Sequence, residues 1–169
     1  VFSDILDIDT ANLTLDADGG MSVAKDATIK DGTQNITLGG DAVFSDILDI
    51  DTANLTLDAD DGMSVAKETT ITGGTQNITL GGDAVFSDTL DVNASADATI
   101  TAGGDMTIAK MTTMDEASLD IDLGGSFTAP TLDIHNGSVF DLLAGKDDKL
   151  TDGDILFDMI EAAASAVLL

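Results

Sequence analysis

Carboxylates are the side chains whose number and spacing could do chemistry in this chain. Its 169 residues carry 32 Asp and Glu against six Lys, a formal charge of −26, with no Arg, no Cys and a single His. Two chemistries use carboxylates in quantity. Hard divalent cations want several oxygen ligands each, and glycosidic bonds are cleaved by a pair of carboxyl groups. The acids cluster at Asp16-Asp18, Asp58-Asp60-Asp61 and Asp147-Asp148, so Asp16, Asp18, Asp58, Asp60 and Asp61 are the candidate calcium ligands. The glycine and aspartate positions of a calcium-binding nonapeptide and of an EF-hand loop are not met, which leaves loose counter-ion binding as the simpler expectation.

A catalytic reading fares less well. His135 stands beside Asn136-Gly137 in a turn sequence, and carboxylate pairs are frequent here because carboxylates are frequent. A carbohydrate-active enzyme would grip acidic sugars with Arg and Lys, which are scarce. The expectation is a protein with no catalytic residues and no cofactor. The charge also argues against nucleic acid, whose phosphates need a basic face, and against an anionic membrane surface. Without cysteine there are neither disulfides nor thiolate metal sites.

What must position these side chains is a repeat. Val43–Ala84 copies Val1–Ala42 with five changes in 42 positions. A third, diverged unit covers 85–126, and the pattern degenerates from 127. Within each unit apolar residues alternate over short runs, such as Leu13-Thr14-Leu15 and Leu48-Asp49-Ile50, which marks strands with one buried face. Glycine pairs such as Gly39-Gly40 and Gly81-Gly82 follow, where turns call for positive φ. The motif Asn-Leu/Ile-Thr-Leu recurs at Asn12, Asn35, Asn54 and Asn77. Asp97, Asp120 and Val139 continue the slot, at steps of 23, 19, 23, 20, 23 and 19 residues.

These features predict an all-β, right-handed parallel β-helix (β-solenoid) with about 20 residues and three short strands per coil. Coils span 1–136, and 137–169 forms an irregular C-terminal coil or cap. Inward columns read Phe2, Val23, Phe44, Val65, Phe86, Ile108 and Leu6, Ala27, Leu48, Thr69, Leu90. An outward column, Asp7, Thr28, Asp49, Thr70, Asp91, Thr113, Asp133, alternates acid with threonine. A neighbouring ladder, Lys25, Asp46, Lys67, Asp88, Lys110, alternates in sign, so a one-coil slip would set like against like. Pro130 falls where that ladder would continue, and a missing N–H is best tolerated at an edge or corner. The asparagines of the N-x-Ser/Thr sites are expected to stack as a ladder.

Coils reading Asn-Leu/Ile-Thr-Leu, then Gly-Gly, then an alternating strand resemble the passenger β-helices of filamentous haemagglutinin-like adhesins and autotransporters. The stretch Phe140-Asp-Leu-Leu-Ala-Gly-Lys-Asp-Asp-Lys-Leu150 is similar to the closing rungs of autotransporter passengers. The resemblance implies export and an extracellular, cell-surface location. It also implies a non-enzymatic role, as the shaft of an adhesin or the subunit of a filament assembling end to end. The alternative is an adhesive module that binds cations or a receptor. Val1 opens in the phase of Val43 and Val85, as expected of a processed product or a piece of a longer shaft.

Overall fold

The computed structural model describes residues 1–145, 155–162 and 167–168, the last two segments as backbone strands. Short strands follow one another in coils of three. Leu6–Asp9 (β1), Leu13–Ala17 (β2) and Met21–Val23 (β3) make the first coil, and Ala27–Lys30 (β4), Thr33–Leu38 (β5) and Ala42–Phe44 (β6) the second. Leu48–Asp51 (β7), Asn54–Ala59 (β8), Met63–Val65 (β9), Thr69–Thr72 (β10), Thr75–Leu80 (β11) and Ala84–Phe86 (β12) repeat them. Leu90–Asn93 (β13), Asp97–Ala102 (β14), Met106–Ile108 (β15), Met111–Asp115 (β16) and Ser118–Leu123 (β17) continue. Phe127–His135 (β18), Val139–Ala144 (β19), Ile155–Ala162 (β20) and Val167–Leu168 (β21) complete the set.

Every pairing between these strands is parallel and joins a strand to its counterpart one coil away, which makes the fold a three-faced β-solenoid. The second face is an eight-stranded sheet from β2 to β21. The first and third faces join into one 13-stranded sheet because β18 runs through the corner between them. Pro130 sits at that corner, between Ala129 and Thr131, and the pairing of β18 with β20 skips it, as a residue without an N–H requires.

Alternation places the core. In β5 and β8 the exposure pattern is strictly outward–inward, and Ile36, Leu38, Leu55 and Leu57 are buried. Short outward-facing polar residues and long inward-facing apolar ones leave a continuous apolar rod inside, in which Phe127 and Phe140 meet at 6.1 Å between ring centres. Phe2, Val23, Phe44, Val65, Phe86 and Ile108 stack as one column, and the acid–threonine column from Asp7 to Asp133 pairs residue for residue. Leu13 and Leu15 are half-buried on the first coil, whereas Leu55 and Leu57 are buried between two others.

The expected coil of about 20 residues is observed, at 21 over the near-identical units, as Leu6↔Ala27, Ala27↔Leu48 and Leu48↔Thr69 show. Two expectations are corrected. The asparagines do not share a slot: Asn35 stacks on Thr14 and Thr56, and Asn12 sits one coil from Thr33. Aligning the Asn-x-Thr-Leu motifs shifts each coil by two residues, which preserves the inward–outward alternation and so satisfies the burial pattern equally well. The corners decide between the two alignments.

Glycine pairs also work differently from expectation. None of Gly39, Gly40, Gly81 or Gly82 has a positive φ. Glycine is needed there because coils approach closely: a Cβ on Gly81 would lie 1.9 Å from the Asp60 carbonyl oxygen. Left-handed backbone occurs instead at the corner between the first and second faces. Thr10, Asp31, Thr52, Gly73, Ala94, Glu116 and Asn136 occupy it with φ between 50° and 63°, one on each coil, and on four coils the next residue, Gly32, Gly74, Ser95 or Gly137, is left-handed too. Six of these seven are not glycine, so stacking holds a conformation that L-residues otherwise disfavour.

In the described residues after 136 the ladders continue. β19 pairs with β17 over six residues, and β20 pairs with β18 after a lengthened step of 28 residues from Phe127 to Ile155. The part expected to be irregular thus contains strands at β20 and β21 as well as β19. Asp147, Asp148, Lys149 and Leu150 lie outside the described residues.

Candidate functional site

The left-handed corner carries a buried polar device that the alternation of the sequence conceals. Gln34 and Gln76 occupy inward positions of the second face, stacked between Leu13, Leu55 and Ala98, and both are wholly buried. Gln34 Nε2 donates to the carbonyls of Ala11 and Asp31 at 2.8 and 2.7 Å; Gln76 Nε2 donates to those of Ala53 and Gly73 at 2.8 Å each. With the Ala11 and Ala53 carbonyls so engaged, the N–H groups of Thr33 and Thr75 donate to the side chains of Asn12 and Asn54. On the alternate coils Asn54 N–H donates to Gly32 O and Asp97 N–H to Gly74 O. Asn and Gln thus replace a backbone rung in each of the two near-identical 42-residue units, whereas farther along Ser118 N–H donates to Ala96 O. Gly74 has φ 72°, and a Cβ there would press on both the Ala53 carbonyl and the Gln76 amide.

At the glycine corner, aspartates do comparable work. Asp41 Oδ1 accepts from Gly62 N–H at 2.9 Å, Asp83 Oδ1 from Asp105 N–H at 2.9 Å, and Asp105 Oδ1 from Ser126 N–H at 2.8 Å. Three of the aspartates thus cap amides of the next coil.

Of the calcium candidates, Asp16, Asp18 and Asp60 line one shallow groove on the second face with Thr37, while Asp58 and Asp61 lie outside it. Asp16 and Asp58 are separated by the Thr37 coil. Among the described residues no three His, Asp or Glu side chains converge as ligands of one ion. The carboxylates crowd elsewhere. Asp120 stacks on Asp141, and its pKa is raised by burial first and then by Asp141, Asp122 and Asp97. Asp49 is raised by burial and by Asp51, partly offset by Lys30, which approaches Asp51 at 3.8 Å.

His135 is half-buried on β18, with Nε2 2.6 Å from Asp133 of the same strand, and Asn136 bonds Asp115 one coil away. The sign-alternating ladder occupies the corner between the third and first faces and begins with Asp4. Lys25 meets Asp4 at 2.7 Å and Lys110 meets Asp88 at 2.6 Å. Among the described residues Asp46 and Lys67 make no ion pair, although Lys67, after Lys110, contributes to holding Asp88 below the usual carboxylate range. Among the described residues no helix is long and apolar enough to cross a membrane. Comparison with family models, curated proteins and solved structures found no match for this chain.

Proposed function

We propose that this chain is a structural element: the stiff, non-enzymatic shaft of an extracellular surface adhesin, or a subunit of an extracellular filament. One observation carries the reading. Parallel ladders on all three faces and a single apolar core run from the first coil to β19. Stability in such a solenoid comes from each coil covering the next, so adding coils lengthens the rod without changing its cross-section. That property suits a spacer. The acidic exterior favours solubility and repulsion between neighbouring shafts. Immunogold electron microscopy of the source cells, with antibody raised against this chain, tests the proposal. Gold on cell-surface projections or on released fibres supports it; gold confined to the cytoplasm refutes it.

A further inference from the structure

We infer that the sign-alternating corner is a lateral docking seam for a second, antiparallel copy of this chain. The seam runs over six coils as Asp4, Lys25, Asp46, Lys67, Asp88, Lys110, held in register by ladder pairs on both sides. Four lysines lie among the described residues and three of them are here. The fourth, Lys30, lies on the first face beside Asp51, so this corner is where charges of both signs alternate along the rod.

Orientation follows from parity. A two-fold axis perpendicular to the rod, midway between the Asp46 and Lys67 coils, places Asp4 opposite Lys110 of the second copy. The same axis places Lys25 opposite Asp88 and Asp46 opposite Lys67. All six positions meet an opposite charge, because an alternating series of even length is its own complement when reversed. Parallel copies in register would set like on like. Asp46 and Lys67, the pair beside the axis, are the two charges of the seam left without an ion pair among the described residues. A shallow depression of about 300 Å³ lined by Asp46, Ile47, Lys67, Glu68 and Asp88 lies between them. The next position along the six coils reads Ile5, Asp26, Ile47, Glu68, Thr89 and Met111; the three apolar ones are 58%, 38% and 37% accessible, and the same axis brings Ile5 over Met111 and Ile47 over Glu68. An isologous contact of this kind closes as a dimer.

The pairing has a distinctive salt dependence. At about 10 mM salt the Debye length is about 30 Å and the repulsion between two chains of −26 reaches across the contact. Near 0.15 M that length falls to about 8 Å, which screens the distributed charge more than the touching pairs. Dimerisation therefore peaks at intermediate ionic strength.

Sedimentation equilibrium of the whole chain, at sub-millimolar concentration across a salt series, tests this. The parent is expected to be dimeric near 0.15 M salt and monomeric at low salt. D46K places lysine against lysine on both sides of the axis and should weaken the dimer roughly tenfold or more. K67D should do the same with aspartates. An equimolar mixture of the two restores opposite charges and is expected to dimerise, as is the D46K/K67D double variant. Neither residue makes an ion pair among the described residues, and circular dichroism checks that each variant folds. A parent that stays monomeric near 0.15 M overturns the inference. So does a D46K variant that associates like the parent, which would place the contact at the ends of the rod, or a mixture that stays monomeric.

Discussion

Replacing Gln76 by Leu should destabilise the protein, although it puts a hydrophobic residue into an apolar column. Gln76 is fully buried, and its Nε2 donates at 2.8 Å to the carbonyls of Ala53 and Gly73. Its Oε1 has no partner. Leu keeps nearly the same volume, orphans two buried carbonyls and removes one orphaned oxygen. Each unsatisfied buried group costs about 1–3 kcal/mol, so two created and one removed leave a net loss of about 1–3 kcal/mol. For a chain of this size 1 kcal/mol is about 2–4 °C, so the melting temperature should fall by roughly 5 °C. Thermal unfolding followed by circular dichroism reads the global effect. Hydrogen exchange reads the local one: the Thr75 amide, bonded to Asn54 Oδ1, should exchange faster while the Ile78 amide in the same strand changes less. Q34L should lose a similar amount, and the double variant should be close to additive because one coil separates the two sites. If Q76L matches or exceeds the parent, the corner does not depend on these bonds.

Three further outcomes follow. Gly81→Ala forces a Cβ to within 1.9 Å of the Asp60 carbonyl oxygen and should cost about 1–3 kcal/mol or more, whereas Gly19→Ala meets nothing within 4 Å and should be neutral; urea denaturation separates them. Asp49 and Asp120 titrate above their unfolded value of about 3.9, so as ionised groups they weaken the fold at neutral pH, and stability should rise as pH falls from 7 toward about 4. Asp4 and Asp88 are shifted the other way, chiefly by hydrogen bonds from Lys25 and Lys110, so their contribution is lost only as pH falls below about 3.9. D120N should raise the melting temperature at pH 7 and flatten the gain on acidification; an unchanged pH profile would contradict the assignment. Calcium and sodium at matched ionic strength should stabilise the chain equally by screening, and a larger rise with calcium would instead favour a cation-binding module.

The fold was legible because two periods are written into the chain at once. Alternation over runs such as Asn54–Ala59 marks a one-sided strand, and the near-identity of 1–42 and 43–84 marks stacking. Columns that cross short corners, such as Phe2–Val23–Phe44, could be counted without error because one corner of constant length separates their strands. The second face could not be counted so easily. Asn-Leu-Thr-Leu and Asn-Ile-Thr-Leu are alike enough to suggest a shared slot, and a slip of two residues leaves every side chain on its own face. The left-handed corner carries no uniform signature, since Thr10, Asp31, Thr52 and Glu116 owe their φ to the coils above and below. Gln34 and Gln76 read as polar strand residues. The one available signal was position: each falls on the inward phase of its strand, where an unpaired amide could not remain.

The claim that most needs testing is that the chain is a straight, rigid stack. Spin labels at Thr14→Cys paired in turn with Thr99→Cys, Asp120→Cys and Asp141→Cys occupy one outward column on the second face, four, five and six coils apart. Electron–electron double resonance should give narrow distance distributions that lengthen by about 4.8 Å per coil, from roughly 19 to roughly 29 Å. Broad distributions, or distances that do not grow linearly with coil number, would contradict the stacked rod and with it the shaft.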